Sequence, residues 1–209
     1  MSRRTPRSRF FQPSAAAEGP VRLGVSTSPA WTAAVLADFD AFLLDHAANE
    51  RKASSAALAL VAHYPDRPEL VERCIALAIE ELTHFQAVHA RIAARGLALA
   101  PDTRSEYLRR LARQFREGSE AYFLDRLLTA GIVEARGCER FGLLAAALPA
   151  GEMKDFYRDI ARTEVRHQEL YIDLARLYFD TAAVDGRLEA LIAAEADVMA
   201  GLPVRAALY

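Results

Sequence analysis

Six side chains in this sequence have types and spacings that could do chemistry together: Glu50, the pair Glu81 and His84, Glu134, and the pair Glu164 and His167. Each lies on a stripe that is otherwise apolar. Glu50 shares its stripe with Leu43, Ala47, Ala57 and Val61, and Glu81 and His84 share theirs with Cys74, Leu77, Val88 and Ile92. Glu134 falls among Leu127, Ala130, Cys138 and Phe141; Glu164 and His167 fall among Tyr157, Ile160, Tyr171 and Leu174. Residues three apart occupy one helix face, so each Glu-x-x-His can address a single centre. Four carboxylates in one core repel one another and are costly to bury, and bound metal ions remove that cost by keeping them ionised. Oxygen-rich ligation with one imidazole per metal suits iron or manganese better than zinc. Such a pair with open positions favours redox chemistry with dioxygen over hydrolysis.

Convergence of the six requires helices of matched depth. From "STSPAW" to Phe179 the apolar residues recur at helical spacing, without strand-like alternation. "YPDRP" (64–68) separates predicted helices of about 30–62 and 68–95, and "RGLALAPDT" (95–103) ends the second. A shorter amphipathic helix is predicted over 104–118 within the long connection. "PAGE" (149–152) separates helices of about 119–148 and 152–180, and "AAVDG" (182–186) precedes a last helix of about 187–200. Two long hairpins joined by one long crossover predict an all-α, ferritin-like four-helix bundle with an added C-terminal helix. The arm lengths agree. The midpoint between Glu50 and Glu81 is Pro65–Asp66, and that between Glu134 and Glu164 is Pro149, so both turns fall midway. Each arm is about 15 residues, roughly 22 Å at 1.5 Å per residue.

Neighbouring polar residues are read against that frame. Glu139 is about 140° around the helix from Glu134, moves the midpoint past the turn, and has Arg136 and Arg140 nearby. It is expected in an outer or ion-pairing role. Glu80 has no histidine three residues on and is expected to face solvent; His46, His63 and His89 are expected to be ordinary surface or core residues. Cys138, one turn from Glu134, is expected to be a small buried thiol.

The chain's 209 residues are 52% hydrophobic and 26% charged with net charge −2, which excludes a globally basic nucleic-acid binder. Two cysteines, Cys74 and Cys138, fit a reducing compartment rather than a disulfide framework. No apolar run approaches a bilayer span and no signal-peptide core is evident, so a cytoplasmic protein without membrane contact is expected. Residues 1–28 are expected to form a basic, flexible arm, and 29–209 a single domain.

The motifs "EELTHF", "EARGCERF" and "TEVRHQELY", with Glu50 in "HAANERKAS", resemble the MiaE family of tRNA hydroxylases over residues 25 to 200. The resemblance implies an O2-dependent non-haem di-iron monooxygenase. Its substrate would be 2-methylthio-N-isopentenyladenosine in tRNA, next to the anticodon, hydroxylated on the isopentenyl group. Carried onto this chain, Glu50, Glu81, His84, Glu134, Glu164 and His167 would hold two iron ions, with Glu139, Arg136 and Cys138 behind them. Leu77, Phe85, Leu127 and Phe141 would line a water-excluding cavity. Electrons would come from a separate partner such as a ferredoxin and its reductase. Arg104, Arg109, Arg110, Arg113 and Arg116 of the crossover, and Arg3, Arg4, Arg7 and Arg9 with Phe10 and Phe11 of the arm, are candidate tRNA contacts. Two other functions compete: a ferritin- or rubrerythrin-like ferroxidase or peroxidase, and a metal-free helical interaction module. The absence of Cys-x-x-Cys counts against the rubrerythrin version.

Overall fold

The computed structural model describes residues 20–209, and every regular element among them is a helix. The arm residues Arg3, Arg4, Arg7, Arg9, Phe10 and Phe11 lie outside the described residues. The elements are α1 (Pro29–Ala37), α2 (Phe39–His63), α3 (Pro68–Ala94), α4 (Glu106–Ala112), α5 (Ser119–Ala147), α6 (Glu152–Tyr178) and α7 (Thr181–Ala200).

Local chemistry sets these limits. The Ser28 hydroxyl accepts from the Ala30 N–H, with Pro29 at the first helical position of α1. The predicted helix of 30–62 is in fact two. Asp38 leaves the helical conformation, and its carboxylate instead caps α2 by accepting from the Ala41 N–H at 3.1 Å. α4 is shorter than its predicted 104–118, starting after Ser105, whose hydroxyl accepts from the Leu108 N–H. Gly118 and Gly151, both with positive φ, turn the chain into α5 and α6. The last helix begins at Thr181, not 187, and takes in "AAVDG": burial of Val184 and Leu188 overrides the poor helix propensity of Gly186.

α2 pairs with α3 and α5 with α6, while α3 meets α6 and α2 stands further from α5. α7 packs on α5, and α4 packs on α7. Apolar residues gather at the two ends of the bundle. One cluster includes Leu60, Leu70, Leu77, Phe123, Leu127 and Ile172; the other includes Trp31, Phe42, Val88, Phe141 and Tyr157. On α2, α3 and α6 the residues between the two clusters are Glu50, Glu81 with His84, and Glu164 with His167.

Residues 20–28 do not form part of a free arm, so the expected boundary at 28 comes too late. Val21 is buried and its N–H donates to Gln168 at 3.3 Å; the N–H and hydroxyl of Thr27 both donate to Glu139 at 3.0 and 2.6 Å. Polar groups on α5 and α6 give this segment's backbone the partners it would otherwise take from water.

Candidate metal centre

The polar layer contains all six predicted side chains, and all six are buried. Their ligand atoms form two groups, Glu50–Glu81–His84–Glu164 and Glu81–Glu134–Glu164–His167, each within 4.8 Å. Glu81 and Glu164 belong to both. His84 Nδ1 is 3.4 Å from Glu50 and 3.7 Å from both Glu81 and Glu164. His167 Nδ1 is 2.8 Å from Glu81 Oε1 and 3.3 Å from Glu164. Despite that closeness, His84 Nδ1, His167 Nδ1 and Glu81 Oε1 are buried with no hydrogen-bond partner. Buried donor atoms clustered this closely without satisfied hydrogen bonds suit a shared cation better than a hydrogen-bonded core. The donor set fits metal ions.

Protons take up the charge where no cation does. Burial and the neighbouring Glu164 and Glu81 carboxylates hold Glu134 well above the usual carboxylate range. Burial alone would lower both histidines, but the surrounding glutamates outweigh it, pushing His84 up to about 10 and His167 up to about 12. Glu50 behaves oppositely: burial would raise it, yet His46 and His84 bring it down to about 2.

Groups behind the ligands differ from the expectations. His46 is fully buried, its Nε2 2.6 Å from Glu50 and its Nδ1 3.3 Å from the Tyr157 hydroxyl. It holds the Glu50 carboxylate in place, and its position one turn before Glu50 on the same stripe is the signal that could have found it. Glu80 does not simply face solvent: it lies 3.2 Å from His167 Nε2 and accepts from Arg166 at 2.5 Å. Arg136 and Glu139 stand away from the six. Arg136 joins Glu139, Glu195 and the Val25 carbonyl, tying α5 to α7 and the N-terminal segment. Cys138 is buried, donating to the Ala161 carbonyl across the α5–α6 seam.

A cavity of about 250 Å³ follows the wider α2/α5 seam down to Glu50, Glu81, Glu134 and Glu164. Ala53, Ala56, Leu60, Ala130, Val133 and Phe141 make most of its wall. Thr129 also lines it and carries a buried hydroxyl without a partner. Of the predicted lining only Phe141 does so. Leu77 and Leu127 belong to the end cluster, and Phe85 packs with the opposite cluster beside His89. The inward faces of tightly paired helices fill with neighbours, so space remains only where helices separate.

Residues 20–206 match the family described as tRNA-(MS[2]IO[6]A)-hydroxylase (MiaE). The chain belongs to the MiaE family. A Pseudomonas putida relative named tRNA 2-(methylsulfanyl)-N(6)-isopentenyladenosine(37) hydroxylase is 36% identical over 177 residues, covering 85% of this chain and 86% of that protein. A Salmonella typhimurium protein of the same name is 33% identical over 108 residues, 52% of this chain and 40% of its own length. Among solved structures, "Protein 43 with aldehyde deformylating oxygenase activity from Synechococcus" superposes with TM-score 0.84 at 38% identity, over 88% of this chain and 92% of that one. The fold of this MiaE chain is the ferritin-like bundle that its breakers and arm lengths predict. No helix among its described residues is long and apolar enough to cross a membrane.

The crossover arginines of this MiaE chain are only partly available. Arg109 and Arg110 both pair with Glu106, and Arg110 also donates to the Gly201 carbonyl. Arg116 is bound to the buried carboxylate of Asp125. Arg104 and Arg113 are exposed and make no ion pair among the described residues. The cavity lining instead includes two cationic side chains, Lys52 from α2 and Arg126 from α5, together with Leu108 and Phe115.

Proposed function

We propose that this MiaE protein is an O2-dependent di-iron monooxygenase that hydroxylates the isopentenyl group of 2-methylthio-N-isopentenyladenosine in tRNA, next to the anticodon. The observation that carries the reading is an apolar cavity ending on a buried layer of four carboxylates and two imidazoles. Glu50, Glu81, His84, Glu134, Glu164 and His167 would hold two iron ions, with Glu81 and Glu164 shared between them. When bound and reduced, such a pair supplies activation of dioxygen. The overall change is R–H + O2 + two electrons + two protons giving R–OH + H2O, and a ferredoxin-type partner supplies the electrons.

The chain's own residues do the rest. Ala53, Ala56 and Ala130 leave room for a branched hydrocarbon between α2 and α5, while Leu60, Val133 and Phe141 exclude water from around it. Lys52 and Arg126, at two heights along the cavity, hold phosphates, and Phe115 offers a stacking face for a base turned out of a single-stranded loop. His46 fixes Glu50 and Glu80 fixes His167, so the ligands keep their aim as substrate enters. The protein acts in the cytoplasm, where it meets tRNA.

Nucleoside analysis of tRNA from cells with and without the gene, alongside iron content of the purified protein, tests the reading. About two irons per chain and loss of the hydroxylated nucleoside on deletion are expected. Unchanged nucleosides would remove it.

A second reading has one observation in its favour: the solved structure at 38% identity carries aldehyde deformylating oxygenase activity by its title. A straight-chain aldehyde would suit the apolar wall. Formate release from the reduced, iron-loaded protein given such an aldehyde and oxygen separates this activity from the first.

A further inference from the structure

We infer that Tyr209 is a specificity-determining residue, the wall beside the metal centre that limits how large a hydrocarbon side chain fits there. The inference rests on the hydroxylase reading and deepens it.

After α7 the chain does not trail away. Residues 202–209 fold back over α5 and are fastened at several points. The Trp31 indole N–H donates to the Ala207 carbonyl at 2.8 Å, and the Leu208 N–H donates to Asp45 at 2.6 Å. Arg140 donates to the Leu208 carbonyl. The Tyr209 hydroxyl donates to the Val133 carbonyl at 2.9 Å, and its ring stacks on Tyr107 at 5.1 Å and 6°. Leu208 and Tyr209 thereby become part of the same cavity wall as Glu50, Glu134 and Glu164.

Their place along the cavity follows from the helix register. α2 and α5 run antiparallel, with Tyr64 against Phe123 at one end and His46 against Phe141 at the other. Leu60 and Arg126 therefore mark one end of the seam, and Phe141 with Leu208 marks the other. Arg126 to Phe141 is about 22 Å of helix, and Glu134 lies nearer the Phe141 end. The Tyr209 hydroxyl, held by the Val133 carbonyl and close over Gly137, stands level with Glu134, so a side chain entering beside Arg126 meets the phenol together with the metal ligands. Burial and then the charge of Glu134, Glu164 and Glu50 hold that phenol well above its ordinary pKa, so it stays a neutral donor beside the carboxylates.

Gly137 supplies independent support. A Cβ added there would stand 2.9 Å from the Tyr209 hydroxyl, so bare backbone at this position is what admits the phenol. The glycine on α5 and the tyrosine 72 residues later thus complement one another at this wall.

The test uses the full, iron-loaded chain and two tRNA substrates, one with the five-carbon isopentenyl group and one with a ten-carbon geranyl group on the same adenine nitrogen. kcat and KM are measured for each, with iron content and thermal midpoint for every variant. The unaltered protein should favour the shorter group. A hydrocarbon pocket discriminates by about tenfold or more per methylene, so Tyr209→Ala should shift the kcat/KM ratio toward the longer group by at least about tenfold. Gly137→Ala, which pushes the phenol aside, should shift it the same way, and Tyr209→Phe should leave it in place. If Tyr209→Ala does not fold, Gly137→Ala and Tyr209→Leu carry the comparison. An unchanged ratio in iron-loaded variants overturns the inference while leaving the hydroxylase reading intact. No turnover of either tRNA by the unaltered protein overturns both.

Discussion

Nε2 of His167 lies 3.2 Å from a carboxylate oxygen of Glu80, while Nδ1 of the same ring faces Glu81 and Glu164. Adjacent residues of α3 thus sit on both sides of one imidazole of α6. The outer carboxylate accepts the Nε2 proton, fixes the tautomer with Nδ1 as the inward lone pair, and raises the basicity of that nitrogen. His84 has no such partner among the described residues. The two histidines are therefore inequivalent.

Replacing Glu80 should expose that difference. Glu80→Gln is expected to weaken metal binding by about 10–100-fold, and chiefly at the position held by His167. Calorimetric titration of the chelated protein with Fe(II) under anaerobic conditions should resolve one weakened and one retained site. Two sites of unaltered affinity would show that the carboxylate has no hold on the centre. Arg166→Ala should matter far less, since its guanidinium is largely exposed.

Metal uptake should also release protons. With no cation bound, His84 titrates at about 10 and His167 at about 12, and burial with the adjacent carboxylates keeps Glu134 high as well. Both histidines are therefore protonated at neutral pH, and cations must displace those protons. Raising the pH from 6 to 8 weakens that competition, so apparent affinity should rise, by up to about tenfold per pH unit for each proton displaced. The sign for folding is the reverse. Histidines with pKa raised from 6.5 stabilise the chelated protein fully below that value, and this contribution fades as pH passes through about 10 and then about 12. Titration in weak buffer, with proton release recorded, checks the first claim, and a pH-independent affinity contradicts it. Thermal midpoints of chelated protein at pH 7 and 10.5 check the second.

How much of this was legible in advance depends on what kind of contact was involved. The two Glu-x-x-His pairs and the equal arms are regularities within single helices and their turns, and they located the six buried residues. Glu80 could not be read correctly because its partner is on α6, 87 residues away, and the preceding turn of α3 says nothing about it. His46 was visible on the right stripe, but nothing local distinguishes an orienting histidine from a core one. Leu77 and Leu127 were placed beside the metals because they face inward, whereas the cavity lies where α2 separates from α5. That separation is a property of four helices packed together, with the returning Leu208 and Tyr209 completing the wall.

The buried pair Arg136–Glu195 gives a stability prediction that bypasses the metals. Neither side chain is exposed, their contacts are 2.8 and 2.9 Å, and the Tyr107 hydroxyl donates to the same carboxylate. Glu195→Ala strands a guanidinium that Glu139 only partly balances, and should cost about 3–5 kcal/mol in urea unfolding of the chelated protein. Iron bound per folded chain should stay the same, because the network lies outside the metal layer. A loss of iron without a loss of stability would place Arg136 in service of the centre after all.

The cavity lining makes the remaining prediction, about tRNA. Opposed charge already occupies much of the crossover: Glu106 accepts from both Arg109 and Arg110, and Asp125 accepts from Arg116 and Arg187. Arg126 makes no ion pair among the described residues and stands over the rings of Tyr64 and Tyr122 at 6.0 Å, where it lines the cavity. Lys52 lines the same cavity nearer Glu50, its ammonium donating to the Thr103 carbonyl. Phosphates bound here would give an affinity that falls with salt, and each lost contact should reduce the slope of log K against log[salt] by about 0.7–0.9. Arg126→Glu and Lys52→Glu should each weaken tRNA binding and flatten that slope, while Arg109→Glu does so less. Arg116→Glu should lower the thermal midpoint instead, because it places a second acid against buried Asp125. Binding across a salt series separates these cases: an unchanged slope in Arg126→Glu, with a reduced one in Arg109→Glu, would move the tRNA contact from the cavity to the crossover helix.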